Sequence, residues 1–183
     1  MPRGSELENG LTTRPTPIGY PCAAPADFAL LTAVCAEVAF FVPPSLFPEG
    51  TNLGPAFLTA SRDCLTSYLE TDLENPNATS IAIRYFHSNC LHHSARPRLS
   101  WHAFGEATRI AQAIQLHDET SYQQLPAIEA GLCRKAFWLL YQGDKSAATL
   151  MNRPITLHKY SFEEGVTVNY PDLGGDECVS FNR

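Results

Sequence analysis

The chain has 183 residues, enough to bury the core of one domain. Hydrophobic residues make up 44% of it and charged residues 17%, which is typical of a globular protein and excludes a largely disordered chain. There are 19 acidic residues against 13 scattered basic ones, and the formal charge is −6. Because holding a phosphate backbone requires clustered lysines and arginines, we expect no direct nucleic-acid contact by this chain.

The six cysteines are too widely spaced for a compact zinc site, because no CxxC pair occurs. A disulfide framework is disfavoured as well, since a chain of this length can build a core without one. We therefore predict free, reduced thiols in an intracellular protein. The cysteines are Cys22, Cys35, Cys64, Cys90, Cys133 and Cys178.

The segment 1–26 is rich in proline, glycine and charged residues, and we predict a disordered leader there. The apolar run from Phe28 to Val42 begins too late for a signal peptide. It is also too short for a membrane span and contains Glu37, so a buried core helix is expected and no membrane association.

That first helix is predicted from Phe28 to Phe41, with Asp27 as the N-cap and Pro43 ending it. Because it is apolar almost all round, the pattern favours a central position in a helical bundle.

Apolar residues at helical spacing predict four further helices along the chain. Their predicted ranges are 55–73, 79–94, 100–116 and 126–151. The expected fold is all-α, an irregular antiparallel bundle of about five main helices over residues 27–154. An irregular tail over 155–183 is expected to follow it.

One cluster has the residue types of a metal site, namely His87, Cys90, His92 and His93. His87 and Cys90 share a helical face, but the two other histidines point to different sides, so a partly exposed helix end is the favoured interpretation. No catalytic or nucleotide-binding motif is found, and His117-Asp118-Glu119 is interpreted as a polar helix exit. We predict no enzyme activity and no catalytic, metal or cofactor-binding residue.

The fourth and fifth predicted helices carry an aromatic set that we expect to form one seam between them. Its members are Trp101, Phe104, Phe137, Trp138 and Tyr141. Asp144 follows on the same face of the fifth helix, so its carboxylate is expected to be buried and to need a partner. Arg109 is the predicted partner and Arg153 the second choice, while a role for Asp144 in binding an effector or another domain stays open.

The stretch from Ser100 to Pro154 resembles the middle homology region of fungal zinc-cluster transcription factors. In that family a tryptophan opens a helix with a GEAxRxAQ pattern that ends on LH and an acidic residue. The next helix carries an FWxLY…D pattern and closes on Arg-Pro. The matching residues are Trp101, Gly105, Glu106, Ala107, Arg109, Ala111, Gln112, Leu116, His117, Glu129, Arg134, Phe137, Trp138, Tyr141, Asp144, Arg153 and Pro154.

The resemblance implies a regulatory domain of a nuclear regulator of DNA-templated transcription. Its partners would be other domains of a full-length regulator or co-regulator proteins, with dimerisation possible through the family. The family's DNA-binding zinc cluster has no counterpart here, so zinc is expected only in a domain that this chain lacks.

Family domains continue through further helices, so the resemblance also implies a truncated gene model, a remnant or a short paralogue. The alternative is a stand-alone helical module that binds a protein partner or a small ligand and never contacts DNA.

Overall fold

The computed structural model describes residues 24–170, and all regular secondary structure among them is helical. The helices are α1 (Pro25–Phe41), α2 (Gly50–Ser67), α3 (Leu69–Glu74), α4 (Ala78–His93), α5 (Pro97–Ala113) and α6 (Ala127–Met151). Short 3-10 turns, Glu119–Tyr122 and Lys159–Ser161, follow α5 and α6. The all-α prediction with five main helices is confirmed. Cys22, Cys178 and most of the predicted leader lie outside the described residues.

Two predicted helix starts are wrong. Asp27 lies in the first turn of α1, and the N-cap is Ala24 without a side-chain hydrogen bond. Pro25 begins this helix because its fixed φ suits the first turn and it has no N–H to leave unpaired. The second helix starts at Gly50 rather than Pro55, and a break at Tyr68 separates α3 from it.

Helix α4, not α1, occupies the centre of the bundle. It packs against α1, α2, α5 and α6, and its buried residues lie on several sides. The prediction for α1 is wrong because its buried face consists of small side chains, which let α2 and α4 approach closely. The buried residues of α1 are Ala29, Thr32, Ala33, Ala36 and Ala39. Its large exposed residues are Phe28, Leu31, Val34, Val38 and Phe41.

The main hydrophobic core lies between α4, α5 and α6 and includes part of the segment that follows α6. Leu157 and Val168 of this segment are buried in that core. The backbone N–H groups of Thr167 and Val168 donate to the carbonyl of His117 at 2.9 and 3.2 Å, which holds the segment against the exit from α5.

Candidate functional site

Asp144 is fully buried on α6, and backbone N–H groups donate hydrogen bonds to its carboxylate. Its carboxylate accepts hydrogen bonds from the N–H of Thr156 at 2.9 Å and from the N–H of Leu157 at 2.9 Å. Lys145 donates to the carboxylate at 3.1 Å and to the carbonyl of Leu157 at 2.5 Å. This cluster, the Asp144 clamp, fastens the chain after α6 to the helix.

The predicted pairing of Asp144 with Arg109 or Arg153 is wrong. After α6 the chain turns at Asn152, which adopts the left-handed conformation with φ of 51°, and the following backbone N–H groups reach the carboxylate first. Arg109 is exposed, and its guanidinium lies beside Gly105. Arg153 is half-buried and stacks over the Trp101 ring at 5.6 Å.

The predicted aromatic seam consists of two ring groups in one core. Trp101 stacks on Phe104 with ring centroids 5.8 Å apart. Phe137, Trp138 and Tyr141 pack on one another on α6, with centroids 5.5 to 6.1 Å apart.

Gly143 brings α5 and α6 close together beside the first ring group, because a Cβ atom there would lie 2.9 Å from the Phe104 ring. Trp138 is only half-buried, and its Nε1 donates to the carbonyl of Asn169 at 3.0 Å. The indole of Trp138 therefore helps to hold the segment that follows α6.

The predicted polar exit from α5 makes structural contacts. Asp118 accepts from the Thr120 N–H, and hydrogen bonds from Thr120 lower the pKa of the carboxyl. Glu119 pairs with Arg134, which lowers the pKa of that carboxyl, and Glu119 also accepts from the N–H of Asn169 at 2.8 Å. The Asp144 clamp holds the beginning of the segment that follows α6, at Thr156 and Leu157. The exit from α5 holds the same segment further on, at Asn169.

The four candidate metal ligands on α4 do not converge. His87 is buried, and its Nε2 lies 2.7 Å from the Ser61 hydroxyl, which donates to the carbonyl of Ala29. Cys90 is buried against Glu37, and His92 and His93 are exposed. Over residues 24–170 no three metal-binding side chains come together.

The described cysteines are free thiols, namely Cys35, Cys64, Cys90 and Cys133. Burial is the largest cause of the raised pKa of the Cys90 thiol and raises the pKa of Cys133 to about 12, so both are protonated at neutral pH.

Sequence reasoning missed a buried arginine at the centre of the bundle. Arg84 on α4 is only 1% exposed, and its Nη1 donates to Asp72 at 2.7 Å and to the carbonyl of Ser80 at 2.9 Å. The Ser80 hydroxyl donates to the other oxygen of Asp72 at 2.7 Å. A lone charge inside the apolar pattern of α4 was the available signal, but its partner lies on a different helix.

The other edge of the same guanidinium is unsatisfied. Its Nε and Nη2 have no hydrogen-bond partner among the described residues. The nearest carboxylate oxygen is that of Glu106 on α5, 3.5 Å from Nε, and this side chain is 40% exposed. His102 approaches the other oxygen of Glu106 at 3.1 Å.

Arg84 lies at a cleft of about 460 Å³ between α2, α3, α4 and α5, which we call the arginine cleft. Its charged lining residues are Arg62, Arg84, Arg109 and Glu106. Three of its leucines, Leu69, Leu73 and Leu99, are exposed to solvent. The cleft combines an apolar wall with an excess of positive charge, and it brings two residues of the sequence motif, Glu106 and Arg109, to one place.

None of the helices in the described part of the chain is both long enough and apolar enough to cross a lipid bilayer.

Comparison with models of protein families gives a match over most of the described chain. The model of the fungal specific transcription factor domain matches residues 61–181, about two thirds of the chain. No curated protein and no solved structure matches. The match covers α3 to α6, the Asp144 clamp and all of the residues that line the arginine cleft. The chain belongs to the fungal specific transcription factor domain family.

Proposed function

We propose that this chain is a regulatory domain that acts in the nucleus on DNA-templated transcription. It acts through contacts with other domains of a regulator or with co-regulator proteins. DNA and zinc are bound by a separate zinc-cluster domain, and the family resemblance makes dimerisation possible.

The observation that carries this proposal is the family match over residues 61–181. The charge of −6 supports a role without direct DNA contact, since duplex binding depends on neutralising phosphates. The motif residues support it too, because their side chains make structural contacts in this fold. Trp101 stacks on Phe104, and Asp144 fastens the segment after α6.

The test is a fusion of the full 183-residue chain between a heterologous DNA-binding domain and an activation domain in yeast. We expect reporter output to differ from that of the same fusion carrying a flexible linker of equal length. The Asp144→Asn variant, whose fold should be weakened, is expected to lose that difference. Equal output from chain and linker at equal protein levels would remove the proposal.

A further inference from the structure

The arginine cleft contains a guanidinium edge that is ready for a bidentate partner. The Nε–H and Nη2–H groups of an arginine point the same way and match the two oxygens of a carboxylate. In Arg84 these are the two nitrogens without a hydrogen-bond partner in the described structure. Leaving such donors unpaired in a buried position costs free energy, so an occupant that pairs them is favoured.

Glu106 indicates which chemical group this edge accepts. Its carboxylate lies 3.5 Å from Nε, too long for a good hydrogen bond, and the side chain is half-exposed. Glu106 is thus a loosely held internal anion that can turn into solvent. A ligand carboxylate in its place would meet Arg84 at the base of the cleft, with Arg62 and Arg109 contributing further positive charge.

The rest of the cleft favours an apolar molecule. Leu69, Leu73 and Leu99 expose apolar surface to water along its wall, and covering that surface would be favourable. A volume of about 460 Å³ lies within the range typical of small-molecule sites.

We propose that the arginine cleft binds a small organic acid with one carboxylate and an apolar body, the carboxylate displacing Glu106 from Arg84. This inference goes beyond the regulatory role and does not depend on it, since binding is a property of the isolated chain.

The test is isothermal titration calorimetry on the purified full chain, with octanoate as the probe. Acetate supplies the charge without the apolar body, and 1-octanol supplies the body without the charge. We expect one octanoate per chain and affinities at least about tenfold weaker for the other two, because each lacks one of the two contacts.

Three exposed or half-exposed positions give variants that should keep the fold, which circular dichroism would verify. Arg62→Gln and Arg109→Gln should each weaken octanoate binding by about fivefold, as expected for one partly exposed charge contact. Glu106→Gln should instead strengthen binding by about threefold or more, because the internal competitor loses its charge.

Lys135→Gln is the matched control, since Lys135 is an exposed cation that lines a different, largely apolar cleft between α1, α4 and α6. It should leave the affinity unchanged. The proposal is overturned by the absence of saturable binding, by unchanged affinity in both arginine variants, or by weakening in Lys135→Gln. It is equally overturned if Glu106→Gln weakens binding, since Glu106 would then support the site rather than compete for it. These calorimetric results do not depend on the reporter fusion that tests the regulatory function. If that fusion had no effect, the expected affinities would stay the same.

Discussion

The fully buried carboxylate of Asp144 is satisfied by three donors. Two are backbone N–H groups, of Thr156 and Leu157, and the third is the ammonium of Lys145. Backbone donors lose little conformational entropy in such a contact, because the chain that carries them is already fixed by the turn after α6. The residue therefore stabilises a chain connection rather than a pair of helices.

Asp144→Asn should lower the free energy of unfolding by about 3 kcal/mol. The new amide group would place a donor against a donor, and Lys145 would lose its counter-charge. Urea unfolding followed by circular dichroism measures this loss. Arg109→Gln is the control and should change stability by about 0.5 kcal/mol or less, since Arg109 is exposed. A coupling energy between the two substitutions that differs clearly from zero would contradict this account.

His87 makes the stability of the folded protein depend on pH. Burial, reinforced by Arg62 and Arg84, lowers the pKa of His87 from 6.5 to about 4. The unfolded chain therefore takes up a proton below about pH 6.5, whereas the folded chain does so only near pH 4.

The stabilisation from neutral His87 is complete above pH 6.5 and is lost as the pH falls towards 4, by about 3 kcal/mol in all. Unfolding free energies measured at pH 7 and pH 4.5 should show most of this fall. The His87→Gln variant, which retains a donor for Ser61, should show a smaller fall. If the unfolding free energy fell by the same amount in both proteins, the pKa of His87 would not be lowered in the folded state.

At the scale of the helices, side-chain size decides which face of an element is buried. The inner face of α1 is lined with alanines, whereas its larger apolar residues stay exposed. Close helix approach is therefore favoured over burial of the largest side chains. The contact of α5 with α6 follows the same rule at Gly143, where the Phe104 ring fills the space of a side chain.

Gly143→Ala should destabilise the protein by about 1 to 3 kcal/mol, because the added methyl group would lie 2.9 Å from the Phe104 ring. Gly131 is a matched control on the same helix, since a Cβ atom there meets nothing within 4 Å. Gly131→Ala should stabilise by about 0.5 to 1 kcal/mol through helix propensity. Thermal unfolding of both variants measures the contrast, and shifts of the same sign would exclude close packing at Gly143.

Asn77 fixes the start of α4 through a capping box. Its side chain accepts from the N–H of Thr79 at 2.8 Å and of Ser80 at 3.2 Å, and the Ser80 hydroxyl accepts from the Asn77 N–H. Asn77→Ala should cost about 1 kcal/mol of stability in chemical denaturation. Asn52→Ala, at an exposed position of α2, should cost less than half as much. Equal losses would show that the cap contributes nothing of its own.

At the scale of the whole molecule, charge limits what the chain can bind. A protein with a formal charge of −6 repels duplex DNA unless its basic residues form a patch. We expect the purified chain to show no sequence-dependent shift of duplex DNA in a gel at low salt. A specific, salt-sensitive shift would contradict this prediction. It would also contradict the proposal that a separate domain binds the DNA.

Much of the fold could be predicted because helical periodicity and proline positions are local signals. The third to fifth predicted helices agree with α4, α5 and α6 to within about three residues at each end. Burial of Asp144 could be predicted in the same way, since it lies seven positions after Phe137 and both fall on one helix face. The start of α2 could not, because Gly50 and Pro55 both argue locally against a helix that packing nevertheless stabilises.

The candidate site was less accessible to prediction. Glu106 and Arg109 were found through the sequence motif, whereas Arg84, Asp72 and Arg62 carry no motif and come from three other helices.

The sequence by itself therefore determined the helical class, the approximate helix limits and the motif that identifies the family. All three depend on residues close together in the chain. Only the tertiary structure decided that backbone N–H groups bind the carboxylate of Asp144, that α4 rather than α1 is central, and that Arg84 faces a cleft with one edge unpaired. These depend on which surfaces meet in space, and the approach distances are set by side-chain volumes on several helices at once.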